Sequence, residues 1–311
     1  MNKPKSINEI LNFEEHYARF MLPLLDSIEE KRKDSLFKFL FFDCLGITAF
    51  AIAIMTDKGT EPLSNFQNLL IVVCLILGFV FSFISLCILR NYKKDTKEKL
   101  FNILFSFIGN FKYQKESNKR AVDFRKIDFV PNFDKSTVDD YIKGFYKNLN
   151  IDIEEICLEK QHRGRKGRRY YTTVFTGLLI TIPQLKPTNA KITIKNKQYT
   201  QAVSGHEEVL LEDVEFNKLY EVSATDQIEA RYILTPTFME KLKALHQKHI
   251  CVAISLQDGE IIISMKKYKN LFEPPFWTTA KNINAYREIL SQISEVLKII
   301  DTLQLSIKPK L

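Results

Sequence analysis

The densest run of charge in the chain is HRGRKGRR, at residues 162–169. Its two glycines, ahead of a Thr- and Val-rich stretch, mark it as a loop. Arg163, Arg165, Lys166, Arg168 and Arg169 can hold phosphate, each adding ~1 kcal/mol near an anionic lipid surface. Nucleic-acid phosphate carries the same charge, but aromatic side chains alongside are limited to Tyr170 and Tyr171, so nucleic acid is not the expected partner. The plainest account is a solvated basic loop, and membrane lipid is the ligand to weigh against it.

Asp226, Glu229 and Arg231 form a second polar group. On an extended chain, alternation puts Glu229 and Arg231 on one side, where they can pair, and Asp226 on the other. Such a group is either a binding patch or a structural ion pair seating the helix that Thr235-Pro236 announces; the structural role is expected. His246 and His249, with Cys251 nearby, have the spacing of one helix face. No acid completes a ligand set, and a histidine near a helix end complements its dipole, so no metal is expected. Asp139-Asp140 and Glu154-Glu155 are adjacent pairs that on a helix diverge toward solvent. No nucleophile elbow, P-loop, dinucleotide-binding glycine pattern, HExxH or kinase set is present. No catalytic residue and no cofactor are expected, and the chain reads as a binding protein, the alternatives being a membrane-proximal enzyme of unknown reaction with its site near Asp226, Glu229 and Arg231, or an anionic-lipid sensor using the basic loop.

These groups are positioned by a chain with two long apolar stretches, residues 39–56 and 69–89. The second, LLIVVCLILGFVFSFISLCIL, carries no charge. About 20 apolar residues of helix cross a bilayer, so both read as spans joined by a short connector at 57–68. A cleavable signal is not indicated, because the first 35 residues are polar and the apolar core starts too late. Lys31, Arg32, Lys33 and Lys38 precede the first span, and Arg90, Lys93, Lys94, Lys97 and Lys99 follow the second. The connector has Lys58 alone against Asp57 and Glu61, which places both termini in the cytoplasm. Asp43 lies roughly 8 Å inside the first span. A polar pair with Arg90 at the start of the returning flank would fix the hairpin's register.

Composition agrees. A formal charge of +8 suits work beside an anionic inner leaflet. Three of the five cysteines, Cys44, Cys74 and Cys87, lie in the spans, and no CxxC occurs, so a reducing cytoplasm fits. The expected organisation is an N-terminal amphipathic helix in 1–35, a transmembrane hairpin in 36–90 and a cytoplasmic α+β domain in 91–311.

The N-terminal helix is read over 7–33, with Pro23 expected to kink or break it and Glu9, Glu14, Glu15, Asp26, Glu29 and Glu30 on its polar face. Residues 100–111 read as a core helix, 112–120 as a surface turn, and 137–148 as a helix with a capping box at Ser136 and Asp139. Strands are expected at 170–182, 191–195, 199–203, 209–211, 220–224, 250–256 and 260–266, with a tight turn at Asp258-Gly259. A turn or short helix is read at 213–219, a helix from Pro236 to about 248, irregular chain at 271–277, and a final helix at 283–303. The domain is therefore α+β with a mainly antiparallel sheet and packed helices.

At 174–182 (VFTGLLITI), 209–216 (VLLEDVEF) and above all 226–242 (DQIEARYILTPTFMEKL), the chain resembles a bacterial membrane-protein family known as domain of unknown function 3137. The resemblance covers most of 174–277. It implies two spans near the amino terminus followed by a cytoplasmic domain ending in a helix, and it brings no catalytic residue. The expected protein is an inner-membrane scaffold whose partners are lipid and another polypeptide or a second copy.

Overall fold

The computed structural model describes residues 13–57, 64–114, 121–164, 167–183, 189–197, 206–247, 252–266 and 272–303. They form two compact units, one of Phe13–Ile103 with Glu273–Arg287, the other containing Leu104–Phe272 and Glu288–Leu311. The strand expected at 199–203 lies outside the described residues.

The first unit is built on two helices, α1 (Glu14–Thr56) and α2 (Asn65–Ser106). α1 does not break at Pro23. It widens into a π-helical stretch at Tyr17–Met21 and resumes as an α-helix over Leu22–Thr56. The wider turn accommodates the amide that proline lacks. The faces of α1 and α2 that meet carry small side chains: Gly46, Ala49 and Ala53 are buried on one, Cys74, Gly78 and Ser85 on the other. A Cβ on Gly46 would stand 2.9 Å from Ser82 Oγ and 3.3 Å from the Gly78 carbonyl. Small residues allow this approach, as in membrane helix pairs. The large apolar residues point outward, among them Ile54, Met55, Phe66, Phe79 and Phe83. A helix pair with its small side chains inside and its apolar bulk outside suits a hydrocarbon solvent, and it fits a two-span membrane protein.

Residues 273–287 pack on the charged ends of these helices. Glu273 pairs with Lys93 at 2.7 Å and Lys97 at 3.0 Å. The Tyr92 hydroxyl donates to the Pro275 carbonyl at 3.0 Å, and Lys281 pairs with Asp26. Glu29, expected on the solvated face, is buried instead. Its carboxylate accepts from the Ala280 amide at 2.6 Å and from Arg32 at two atoms.

The second unit is an α+β fold. Among the described residues, nine strands form one antiparallel sheet: β1 (Asn110–Gln114), β2 (Lys135–Tyr146), β3 (Leu149–Arg163), β4 (Arg169–Pro183), β5 (Ile192–Asn196), β6 (Glu207–Glu208), β7 (Tyr220–Ala224), β8 (Val252–Gln257) and β9 (Glu260–Lys266). Their order across the sheet is β1-β2-β3-β4-β9-β8-β5-β7-β6. The helices are α3 (Ala121–Phe124), α4 (Val214–Leu219), α5 (Gln227–Ile233), α6 (Pro236–Gln247) and α7 (Ile283–Leu303). One sheet face is almost wholly aliphatic, with Ile142, Ile153, Ile180, Ile263, Ile254 and Ile194 in register from strand to strand. The other carries a cluster in which Phe124, Ile127, Phe129 and Phe133 pack over Ile156, Leu158, Phe175 and Leu179. That face also buries hydroxyls at Thr193, Ser223, Ser255 and Ser264.

The helix expected at 137–148 is strand β2. Tyr141, Ile142, Phe145 and Leu149 satisfy a helical stripe by spacing, but a two-residue turn interrupts it. Lys147 and Asn148 both adopt positive φ, 46° and 68°, so Tyr146 pairs with Leu149 across a hairpin. This backbone is the one Asn-Gly supplies, and lysine in its first position hid it. The expected helix at 100–111 stops at Ser106, and β1 follows from Asn110. The strand expected at 209–211 is replaced by β6, two residues earlier. The Asp258-Gly259 hairpin turn, with φ of 52° and 78°, and helices α4, α6 and α7 lie where the sequence places them.

Candidate functional site

The motif 226–242 begins with an aspartate whose side chain ends one backbone run and starts another. Asp226 Oδ1 accepts from the amides of Ile228 at 2.8 Å and Glu229 at 3.0 Å, capping α5. The extended reading of 226–233 is therefore wrong. An aspartate ahead of Gln-Ile-Glu-Ala is an N-cap signal, and the local helix it starts outweighs the alternation read over 226–233. Helical geometry then separates Glu229 from Arg231, and the pair expected between them does not form. Glu229 Oε2 accepts from the Ala190 amide at 3.1 Å. Arg231 Nη1 donates to the Leu210 carbonyl at 2.7 Å, and its Nη2 reaches Gln227 at 3.4 Å.

Asp226 thus caps α5, while Glu229 and Arg231 clamp it to neighbouring chain. What the clamp presents is apolar: Ile228 and Tyr232, one turn apart, are 83% and 70% exposed, and Leu210, at the end of the Arg231 bond, is 64% exposed. Exposed Glu207, Glu208 and Glu212 flank Leu210 in the chain, and Gln227 donates to Glu207 at 3.1 Å. Sequence reasoning missed this surface because alternation assigned Ile228 and Tyr232 to a strand face. The N-cap at Asp226 was the signal that would have found it.

The described residues of the basic cluster stand at the end of the β3–β4 hairpin. Arg163 and Arg169 are directly opposite in register, and the Gly164 amide donates to the Arg168 carbonyl at 2.7 Å. Among the described residues the strands here run beyond their other neighbours: β2 pairing begins at Glu159 and β9 pairing ends at Gly177. His162 stacks on Tyr170 with ring centroids 5.2 Å apart and bonds Thr172 Oγ1 at 2.7 Å, stiffening the arm. Arg165 and Lys166 lie outside the described residues.

Asp139, Asp140 and Glu155, read as solvent-facing, converge instead, with carboxylate oxygens within 4.8 Å of one another. A register shift between Val138 and Asp140 turns the chain so that neighbouring acids reach one place. Asp140 accepts from the Tyr113 hydroxyl at 2.7 Å. Carboxylates gather this way without an ion, and no metal is assigned to them. His246 Nδ1 meets Asn196 Nδ2 at 2.9 Å, a structural contact; His249 and Cys251 lie outside the described residues. Asp43 is half-buried on α1 and Arg90 exposed on α2, and among the described residues no ion pair joins them.

Residues 173–305 match the family described as "Protein of unknown function (DUF3137)". This part of the chain is similar to the DUF3137 family. It takes in β4 through α7, and therefore α5 and its exposed apolar residues. No curated protein sequence matches the chain. Among solved structures it is similar to the mycobacterial trehalose monomycolate transport factor A, TtfA, with 12% identity and a TM-score of 0.37 over 66% of this chain and 96% of that one.

Proposed function

We propose that this is a bacterial inner-membrane protein with both termini in the cytoplasm, which uses its DUF3137 domain to bind a partner polypeptide and performs no catalysis. The observation that carries the reading is the apolar surface of Leu210, Ile228 and Tyr232, held in place by Asp226, Glu229 and Arg231. Monomeric proteins rarely leave such side chains together in water without a use for them. The acidic residues around Leu210 suit an apolar segment flanked by lysine or arginine. The two apolar helices support membrane anchorage, and the basic flanks support the orientation.

A photoreactive residue placed at Ile228 in intact cells tests this, with the same residue at exposed Lys218 as control. The expected result is a discrete adduct from position 228 that disappears with Tyr232→Asp. An adduct of twice the chain mass assigns the surface to self-association. Identical labelling from both positions overturns the reading.

The Arg163–Arg169 register favours a second reading, contact with anionic lipid. Like charges placed opposite repel unless an anion lies between them. Amide exchange at 160–172 in anionic nanodiscs is then slower than in neutral ones, and the difference vanishes at high salt. Equal exchange in both disposes of it.

A further inference from the structure

The chain has one tryptophan. Trp277 is outside both apolar spans, yet its ring meets Phe39 edge-on at 5.3 Å, and Phe39 opens the first span. It also meets Phe276 at 5.1 Å, and Phe276 is buried against Tyr92 at 5.2 Å. Lys38 ends the charged flank on α1 and Arg90 begins it on α2. The short run 273–277 therefore sits where both helices change from charged to apolar.

Among the described residues, the polar partners that hold it lie on the charged side. Glu273 takes Lys93 and Lys97, Tyr92 donates to the Pro275 carbonyl, and Arg32 Nη1 donates to the Phe276 carbonyl at 2.9 Å. Pro274 and Pro275 have no amide hydrogen, so two donors that would need water are missing at this level. Above these contacts Trp277 remains 64% exposed, at the level of Phe39 on α1. An indole with an apolar body and one N–H donor prefers the head-group layer of a bilayer.

We propose that residues 273–277 are a membrane-interface anchor, with the Trp277 indole lodged among lipid head groups. The occupant of this surface is the bilayer itself, because the exposed indole lies beside Phe39, where α1 changes from charged to apolar. The proposal rests on the two-span reading, and it gives the chain a third point of contact with the membrane.

Intrinsic fluorescence tests it in the full chain, reconstituted in vesicles carrying bromine either near the glycerol end or near the methyl end of the acyl chains. Trp277→Phe protein supplies the blank. The expected result is blue-shifted emission, quenched more by shallow than by deep bromine and little affected by aqueous iodide. Carbonate resistance is scored on the same vesicles. A carbonate-resistant chain whose tryptophan is quenched by iodide and untouched by either lipid overturns the anchor and leaves the hairpin standing. A chain stripped by carbonate overturns both.

Discussion

Glu29 and Arg32 stand one helical turn apart on α1 and bind each other through two donor–acceptor pairs, at 2.8 and 2.9 Å. Each also holds the segment 273–287: Arg32 donates to the Phe276 carbonyl, and Glu29 accepts from the Ala280 amide and the Thr279 hydroxyl. The bond to Arg32, with the Ala280 amide, pulls the Glu29 carboxyl down to about 2 from its ordinary 4.5, against the opposing effect of burial. A lowered carboxylate value means that the folded state prefers the charged form. Its stabilisation is complete above pH 4.5 and is lost as pH falls toward 2. The protection of the Ala280 amide in detergent, relative to an unstructured amide at the same pH, is expected to be high at neutral pH and to fall through that window. Arg32→Ala leaves a buried carboxylate without its cation, costing about 3 kcal/mol or more, and should raise exchange at neutral pH.

Gly144 lies opposite Phe111 in the β1–β2 register, and a Cβ there would fall 2.1 Å from the Phe111 ring. Gly144→Ala forces the ring off the strand and should destabilise the sheet by about 1–3 kcal/mol. Thermal unfolding of the purified protein measures it. An unchanged midpoint would show that Phe111 moves freely.

Thr193 predicts the opposite sign. Its Oγ1 is buried and has no hydrogen-bond partner among the described residues. Thr193→Val keeps the shape and removes a desolvated hydroxyl, so stability should hold or rise by about 1 kcal/mol. A clear loss in the same unfolding assay would reveal a partner for that hydroxyl.

Gly46→Leu places a side chain where α2 already has Ser82 Oγ and the Gly78 carbonyl. The hairpin should open, and the variant should aggregate in detergent at lower temperature. Gly46→Ala, with one carbon pressing on the Ser82 side chain, should show a smaller shift in the same direction.

Ile228→Asp changes an exposed position and should alter stability by less than about 0.5 kcal/mol. Photocrosslinking from a reactive residue at Leu210 should nonetheless fall to background. Loss of the adduct together with loss of the fold would show that Ile228 is structural.

What could be read without coordinates follows from how local each signal is. The spans, the Thr235-Pro236 helix and the Asp258-Gly259 hairpin declare themselves within a few residues, through apolar length, a cap or a turn pair. β2 and β3 were hidden because Lys147-Asn148 adopts a turn backbone that its residue types do not advertise. The gathering of Asp139, Asp140 and Glu155 depends on a register shift, which only pairing reveals. At α5 the right residues were singled out and their roles were not. Asp226 was a cap, and the exposed surface lay on the residues between the charged ones.

The grip of Glu29 and Arg32 on residues 276–280 also has a temporal side. The two ends of the contact between Arg32 and Phe276 are separated by 244 positions. During synthesis the α1 half leaves the ribosome well before the counterpart it holds. A polypeptide that stalls before Glu273 would leave Arg32 without the Phe276 carbonyl and Glu29 without the Ala280 amide and the Thr279 hydroxyl.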